Sequence, residues 1–223
     1  MRRRRDKAEI SLDGIGSDNR QVYPKQSALM QKIDFIKEVD KLKTILRRTI
    51  LFDKSRQEND AEHTWELAMM AVVLYDSVSP NTDLLRCLKM LLIHDVVEIY
   101  AGDTYAYDQT GIVDQHERER HSAEKIFGIL PKSLGDEMLH LWEEFEARTT
   151  SEAKFARALD RLQPLLHNYY TDGVSWQKHA VTAPQVRYSM AVIRDSSDEL
   201  GELVDSLIDD AVKRGFLPES LPS

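Results

Sequence analysis

The run from Met90 to Gly102, MLLIHDVVEIYAG, constrains this chain more than any other stretch: it is an apolar helix with His94, Asp95 and Glu98 set inside it. A helix that is apolar around most of its circumference is a buried one. Buried imidazoles and carboxylates are costly unless they are paired, hydrogen-bonded or bound to a metal. At ~100° per residue, His94 and Asp95 can both lean toward one point between helices. Glu98 falls on the same side a turn later. Gly102 then ends the helix and delivers Asp103 at its mouth. The rest of the chain must wrap this segment and bring partners to its charges.

The flanking sequence predicts more helices. Ser27 is a good N-cap. The stripe Leu29, Ile33, Ile36, Val39, Leu42, Ile45 and Leu46 predicts a first helix running into Arg47-Arg48. A link from Thr49 to Asp60 leads to a helix opened by His63 and striped by Leu67, Met70, Ala71 and Leu74. Pro80 and Asn81 break the chain, and Thr82 or Asp83 caps the central helix. Beyond a loop to Gly111, helices are expected over Val113–Leu130, from Pro131, from Thr150 or Ser151, over Ala183–Ile193 and over Glu199–Val212. Pro164 should kink or divide the helix that carries Phe155, Leu159 and Asp160. Trp176 to Val181 reads as irregular. Strand-like alternation, internal repeats and Gly/Pro/Ser-rich linkers are missing. The expectation is an all-α fold with one helical domain over 27–215, a basic tail over 1–26 and a short tail over 216–223.

Composition narrows the function. A chain of 223 residues can bury a full core without disulfides, and Cys87 is its sole cysteine. That suits a reducing, cytoplasmic setting. The apolar run at Met90–Ile93 is far short of the ~20 residues needed to span a bilayer, so no membrane partner is expected. A net charge of −8 argues against nucleic acid as a partner. The Arg2–Arg5 block reads as a solvated terminus. His140, His167 and His179 read as surface or interface residues, Trp65, Trp142 and Trp176 as core aromatics, and Cys87 as a small buried apolar residue.

Four groups stand out in apolar helices or at their starts: His63, His94, Asp95 and Asp160. Two imidazoles with two carboxylates suit a borderline or hard divalent ion. Their order, His63…His94-Asp95…Asp160, resembles the signature of the HD-domain phosphohydrolase superfamily. The segments RQENDAEH, LLIHDVVEIYAGD and LWEEFEARTTSEAKFARALDRLQ resemble the branch that contains the bacterial 5′-deoxynucleotidases and the eukaryotic HD domain-containing protein 2. The resemblance covers about residues 30–170. It implies one divalent ion (Co, Mn, Mg, Fe or Zn) held by those four residues, and removal of phosphate from nucleoside 5′-monophosphates. It implies Glu98 and Asp103 as the catalytic acids and Arg48 as the phosphate ligand; Arg47 is the competing candidate, and one of the pair is expected to be a surface residue. Thr49 and His121 would border the substrate, and relatives lead us to expect a homodimer. Where bacterial deoxynucleotidases carry a tryptophan after the phosphate arginine, this chain has Thr49.

Two alternatives follow from the same residues. His116 and His121 lie where dinuclear HD oxygenases and phosphodiesterases place extra histidines. Five residues advance a helix by ~500°, leaving those side chains ~140° apart and unable to chelate one ion. A non-catalytic nucleotide-binding HD protein is the other, but a purely structural ion has no need of Glu98 and Asp103.

Overall fold

The computed structural model of the chain describes residues 27–102 and 115–220. The tail over 1–26, Asp103 and the tyrosines that follow it lie outside the described residues. Ten α-helices and one small hairpin make up the described fold: α1 (Ala28–Val39), β1 (Leu46–Ile50), β2 (Gln57–Asn59), α2 (Asp60–Val73), α3 (Leu84–Ile93), α4 (Glu98–Ala101), α5 (Gln115–Phe127), α6 (Lys132–Ala147), α7 (Ser151–Tyr170), α8 (Val174–Lys178), α9 (Ala183–Met190) and α10 (Asp198–Lys213). Among them no helix is long and apolar enough to cross a membrane.

Local chemistry sets the helix starts. Ser27 accepts from the Met30 N–H, Asp83 from Arg86 and Thr150 from Ala153. These bonds satisfy donors that a helix N-terminus otherwise leaves open. Helix α2 starts from a full capping box: Asn59 accepts from the Glu62 N–H, and the Glu62 carboxylate accepts from the Asn59 N–H.

Helix α7 is the spine. Its first half packs Phe155, Ala156 and Leu159 into a cluster with Leu67, Met90, Leu91, Phe127 and Trp142. Its second half packs Leu162 and Leu165 against Trp176, Val186, Ile193, Val204 and Ile208. Burying one such leucine or isoleucine contributes about 2 kcal/mol, so these two clusters dominate the stability.

Several expectations are corrected here. The first helix stops at Val39 and tightens into a 3-10 turn over Asp40–Thr44, and Leu46–Ile50 is a strand. It pairs antiparallel with Gln57–Asn59, with Leu46 opposite Asn59 and Ile50 opposite Gln57. The central helix does not run unbroken to Gly102: His94–Val97 form a 3-10 turn between α3 and α4. Pro164 does not divide α7, which continues to Tyr170. Val174–Lys178, expected to be irregular, is a short helix. Phe216 and Leu217, assigned to a tail, are buried, and Pro218 O accepts from the Ala183 N–H. Trp65 is 65% exposed, whereas Trp142 and Trp176 are buried as expected. His167, expected near the surface, is buried on the inner face of α7.

Candidate metal centre

His63 sits in the first turn of α2, where the capping box orients the helix start. The ring is fully buried, and its Nδ1 lies 3.0 Å from the side-chain oxygen of Gln163. His94 opens the 3-10 turn, and its Nδ1 lies 2.8 Å from the Leu91 carbonyl. An oxygen that only accepts makes each Nδ1 the donor, which leaves each Nε2 free to meet the carboxylates or an ion. Both Nε2 atoms point to one place. His63 Nε2 is 3.3 Å from Asp160 Oδ1 and 3.7 Å from Asp95 Oδ2. His94 Nε2 is 3.0 Å from Asp95 Oδ1 and 3.5 Å from Asp160 Oδ1. That buried Nε2 has no hydrogen-bond partner.

The four sequence-predicted ligands therefore come together from α2, the 3-10 turn and α7. Ligand atoms of His63, His94 and Asp160 lie within 4.8 Å of one another. Two Nε2 atoms facing two carboxylates need a proton or a cation between them, and this donor set fits a divalent ion. The charges agree with that fit. Burial opposes a charged His94 ring, but the Asp95 and Asp160 carboxylates outweigh it and push its pKa up to about 9. Burial would raise Asp160, yet the His63 and His94 rings against it, with the Arg157 and Arg161 charges, hold it well below the usual carboxylate range.

Glu98 is buried beside the cluster, and its carboxylate lies within 4.8 Å of those of Asp60 and Asp95. The 3-10 turn keeps it on the side that His94 and Asp95 occupy. Asp103 lies outside the described residues. Of the arginine pair, Arg48 is the exposed member and Arg47 the more buried: the Arg47 side chain is 14% exposed, with Nη1 2.9 Å from Asp95 Oδ2 and 3.3 Å from Asp60 Oδ1. Successive strand residues face opposite ways, so Arg48 projects differently and lies 3.4 Å from His179 Nδ1. Both arginines and Thr49 line a cavity that also opens onto Asp95, Glu98 and Asp160. The Thr49 hydroxyl donates to Glu58. Phe145, Pro164, Asn168, Ser189 and Met190 also line the cavity.

His121 is not brought to this cavity. It is exposed on α5, and its Nδ1 contacts the Glu117 carbonyl. His116 is exposed and stacks on Trp142, with ring centroids 6.4 Å apart. Among the described residues, neither joins the His63–His94–Asp160 cluster. Sequence reasoning missed Asp60, Gln163, Arg157 and Glu119, all at or behind the site. Gln163 and Arg157 stand three residues either side of Asp160, on its helix face. That spacing was the available signal.

The family model of the HD domain matches residues 39–200. The chain belongs to the HD domain family. This HD-domain protein is 33% identical over 140 residues to 5′-deoxynucleotidase HDDC2 of Danio rerio, a match covering 61% of this chain and 68% of that one. The protein of the same name in Homo sapiens is 33% identical over 135 residues, 60% of this chain and 65% of that one. The chain thus spans about two thirds of the length of these relatives. The crystal structure of a predicted metal-dependent phosphohydrolase from Magnetospirillum magnetotacticum MS-1 matches with a TM-score of 0.81 at 48% identity, over 86% of this chain and 98% of that chain.

Proposed function

We propose that this HD-domain hydrolase removes phosphate from nucleoside 5′-monophosphates with one divalent ion held by His63, His94, Asp95 and Asp160. The observation that carries the reading is the pair of Nδ1-anchored imidazoles whose Nε2 atoms face Asp95 and Asp160, beside arginines in one cavity. The names of the relatives support the nucleotide. When bound, a divalent ion supplies Lewis-acid polarisation of a phosphoryl oxygen and a more acidic water.

The chain's own residues do the rest. Arg48 offers a guanidinium fork to the phosphate. Arg47 holds Asp95 in place. Glu98 takes the proton of the attacking water as its oxygen bonds to phosphorus. The bond from phosphorus to the 5′ oxygen breaks, and Asp103, in its protonated form, gives its proton to the leaving oxygen, which departs as the nucleoside hydroxyl. The homodimer and the cytoplasmic setting belong to the same proposal.

Thr49 sets the expectation for the sugar. It is too small to pack against deoxyribose as a tryptophan would, and its oxygen can still accept a hydrogen bond from a ribose hydroxyl. Phosphate release from all ribo- and deoxynucleoside monophosphates, with and without added Mn2+ or Co2+, tests the reading. We expect metal-dependent turnover, lost in Asp95→Ala, and a dAMP over AMP preference in kcat/KM below about tenfold, or ~1.4 kcal/mol. No release from any monophosphate would overturn the activity, and a preference of several hundredfold would overturn the role given to Thr49.

A further inference from the structure

Behind the His63 ring lies a buried polar network, centred on Gln163, that the proposed chemistry does not use. Gln163 is its hub and is fully buried. Its side-chain oxygen faces His63 Nδ1 at 3.0 Å. Its amide nitrogen donates to Glu58 Oε2 at 2.8 Å and to Glu66 Oε2 at 2.7 Å. Beyond them, His167 Nε2 lies 2.7 Å from Glu66 Oε2, and its Nδ1 lies 2.7 Å from the Ile50 carbonyl on β1. Glu58 in turn accepts from the Thr49 hydroxyl on the same strand.

The orientation of this amide is dictated by its surroundings. An amide can be built either way round, and its neighbours must choose. Turning Gln163 over would aim its oxygen at two carboxylates, which only accept, and its NH2 at the ring. Glu58 and Glu66 thus require the NH2 on their side and the oxygen on the side of His63. Glu58, Glu66 and His167 also lie close enough together to suggest a second cation site, their ligand atoms falling within 4.8 Å. The Gln163 NH2 pointing at both carboxylates, and the ring already paired with Glu66, argue for a closed hydrogen-bonded network there.

We infer that Gln163 is a positioning residue of the metal centre: it holds His63 as the Nδ1–H tautomer, aims Nε2 at the ion, and ties that ring through Glu58 and His167 to the strand carrying Arg47 and Arg48. The inference rests on the reading that His63 is a metal ligand. An acceptor behind a ligating imidazole fixes the ring and raises its basicity, and removing such a partner costs 10–100-fold in metal affinity. The strand link adds a second consequence: the arginines keep their register to the ion only while the network is whole.

The test uses the full chain, stripped of metal and titrated with Co2+ alone, followed by visible absorption. Gln163→Met has nearly the same volume but leaves His63 without an acceptor. We expect its Co2+ affinity to fall 10–100-fold. The triple variant Glu58→Gln, Glu66→Gln, Gln163→Glu reverses donor and acceptor on the Glu58 and Glu66 side while keeping an acceptor oxygen for the His63 Nδ1–H, and should recover affinity to within about fivefold of wild type. Wild-type affinity in Gln163→Met, or no recovery in the triple variant, would overturn the inference while leaving the metal centre standing. Failure of the wild type itself to bind Co2+ would overturn the metal centre and this inference with it. A measurement needing no variant runs alongside: 15N NMR of histidine-labelled wild type loaded with Zn2+. We expect His63 bound through Nε2 with a slowly exchanging Nδ1 proton. Binding through Nδ1, or a rapidly exchanging Nδ1 proton, would overturn the inference even if Gln163→Met does not fold.

Discussion

Adjacent residues on β1 divide their work by direction. Arg47 turns inward and meets Asp95 and Asp60, whereas Arg48 is exposed at the cavity and near His179. Removing one partner of a buried ion pair leaves the other charge uncompensated. Arg47→Ala should therefore lower the stability of the metal-free protein by about 3 kcal/mol in urea unfolding. Arg48→Ala should leave stability within about 0.5 kcal/mol and raise KM for the monophosphate. Equal unfolding midpoints for the two variants would contradict this division. Glu98 makes a separate prediction. Glu98→Ala should retain bound Mn2+ by elemental analysis while kcat falls roughly 10²-fold or more, the loss typical of a missing proton carrier. Near-normal turnover in that variant would remove Glu98 from the chemistry.

Short elements with explicit terminal chemistry position the site. The hairpin of β1 and β2 is too small to stand alone in water. It is anchored where β2 runs into the Asn59 cap and where His167 on α7 meets the Ile50 carbonyl. One residue thus serves both the end of β2 and the start of the helix that carries His63. Asn59→Ala should cost about 1 kcal/mol in thermal unfolding, the usual value of an N-cap. Asn59→Asp, which keeps the acceptor, should cost markedly less. If alanine and aspartate behave alike, the capping bond is not what holds the α2 start. The 3-10 turn at His94–Val97 is the other decisive element. It places the His94 ring against the Leu91 carbonyl one turn back, and so aims Nε2 inward.

Across the whole molecule, the cavity concentrates charge in a low-dielectric setting. Glu119 on α5 lines it; burial pushes its pKa up to about 7, the Glu146 and Asp95 carboxylates adding to a rise that a hydrogen bond from Gln115 only partly offsets. A carboxyl whose folded pKa lies above its unfolded value binds more protons in the folded state between the two. Stability is then lost as pH rises from about 4.5 to about 7. Glu119→Gln removes that titration, so in metal-free protein it should match wild type near pH 4.5 and exceed it at pH 8 by on the order of 2 kcal/mol. Urea unfolding at the two pH values checks this, and parallel pH profiles for the two proteins would show that Glu119 is not burdened by its site.

The helical class, the cap at Ser27, the caps at Asp83 and Thr150 to within one residue, and the four groups His63, His94, Asp95 and Asp160 could all be read from residue order. Helical periodicity and capping are local, and ionisable groups in apolar stripes are conspicuous wherever they occur. The strand at Leu46–Ile50 could not be read, because its polar residues are held extended by contacts to α7 and β2 and not by their own preferences. The same holds for the arginine pair: one residue of difference reverses the facing, and only the strand geometry decides which one meets Asp95. Asp60, Glu119 and the Gln163 network were equally hidden. An ordinary polar residue gains its meaning from the neighbours that desolvate and orient it, and those neighbours, such as Glu58 and Gln163, stand 105 residues apart in the chain. The sequence by itself determined the kind of site this chain can build; the tertiary structure decided which atoms face one another there and which residues hold them, because burial and hydrogen-bond direction exist only once the helices have packed.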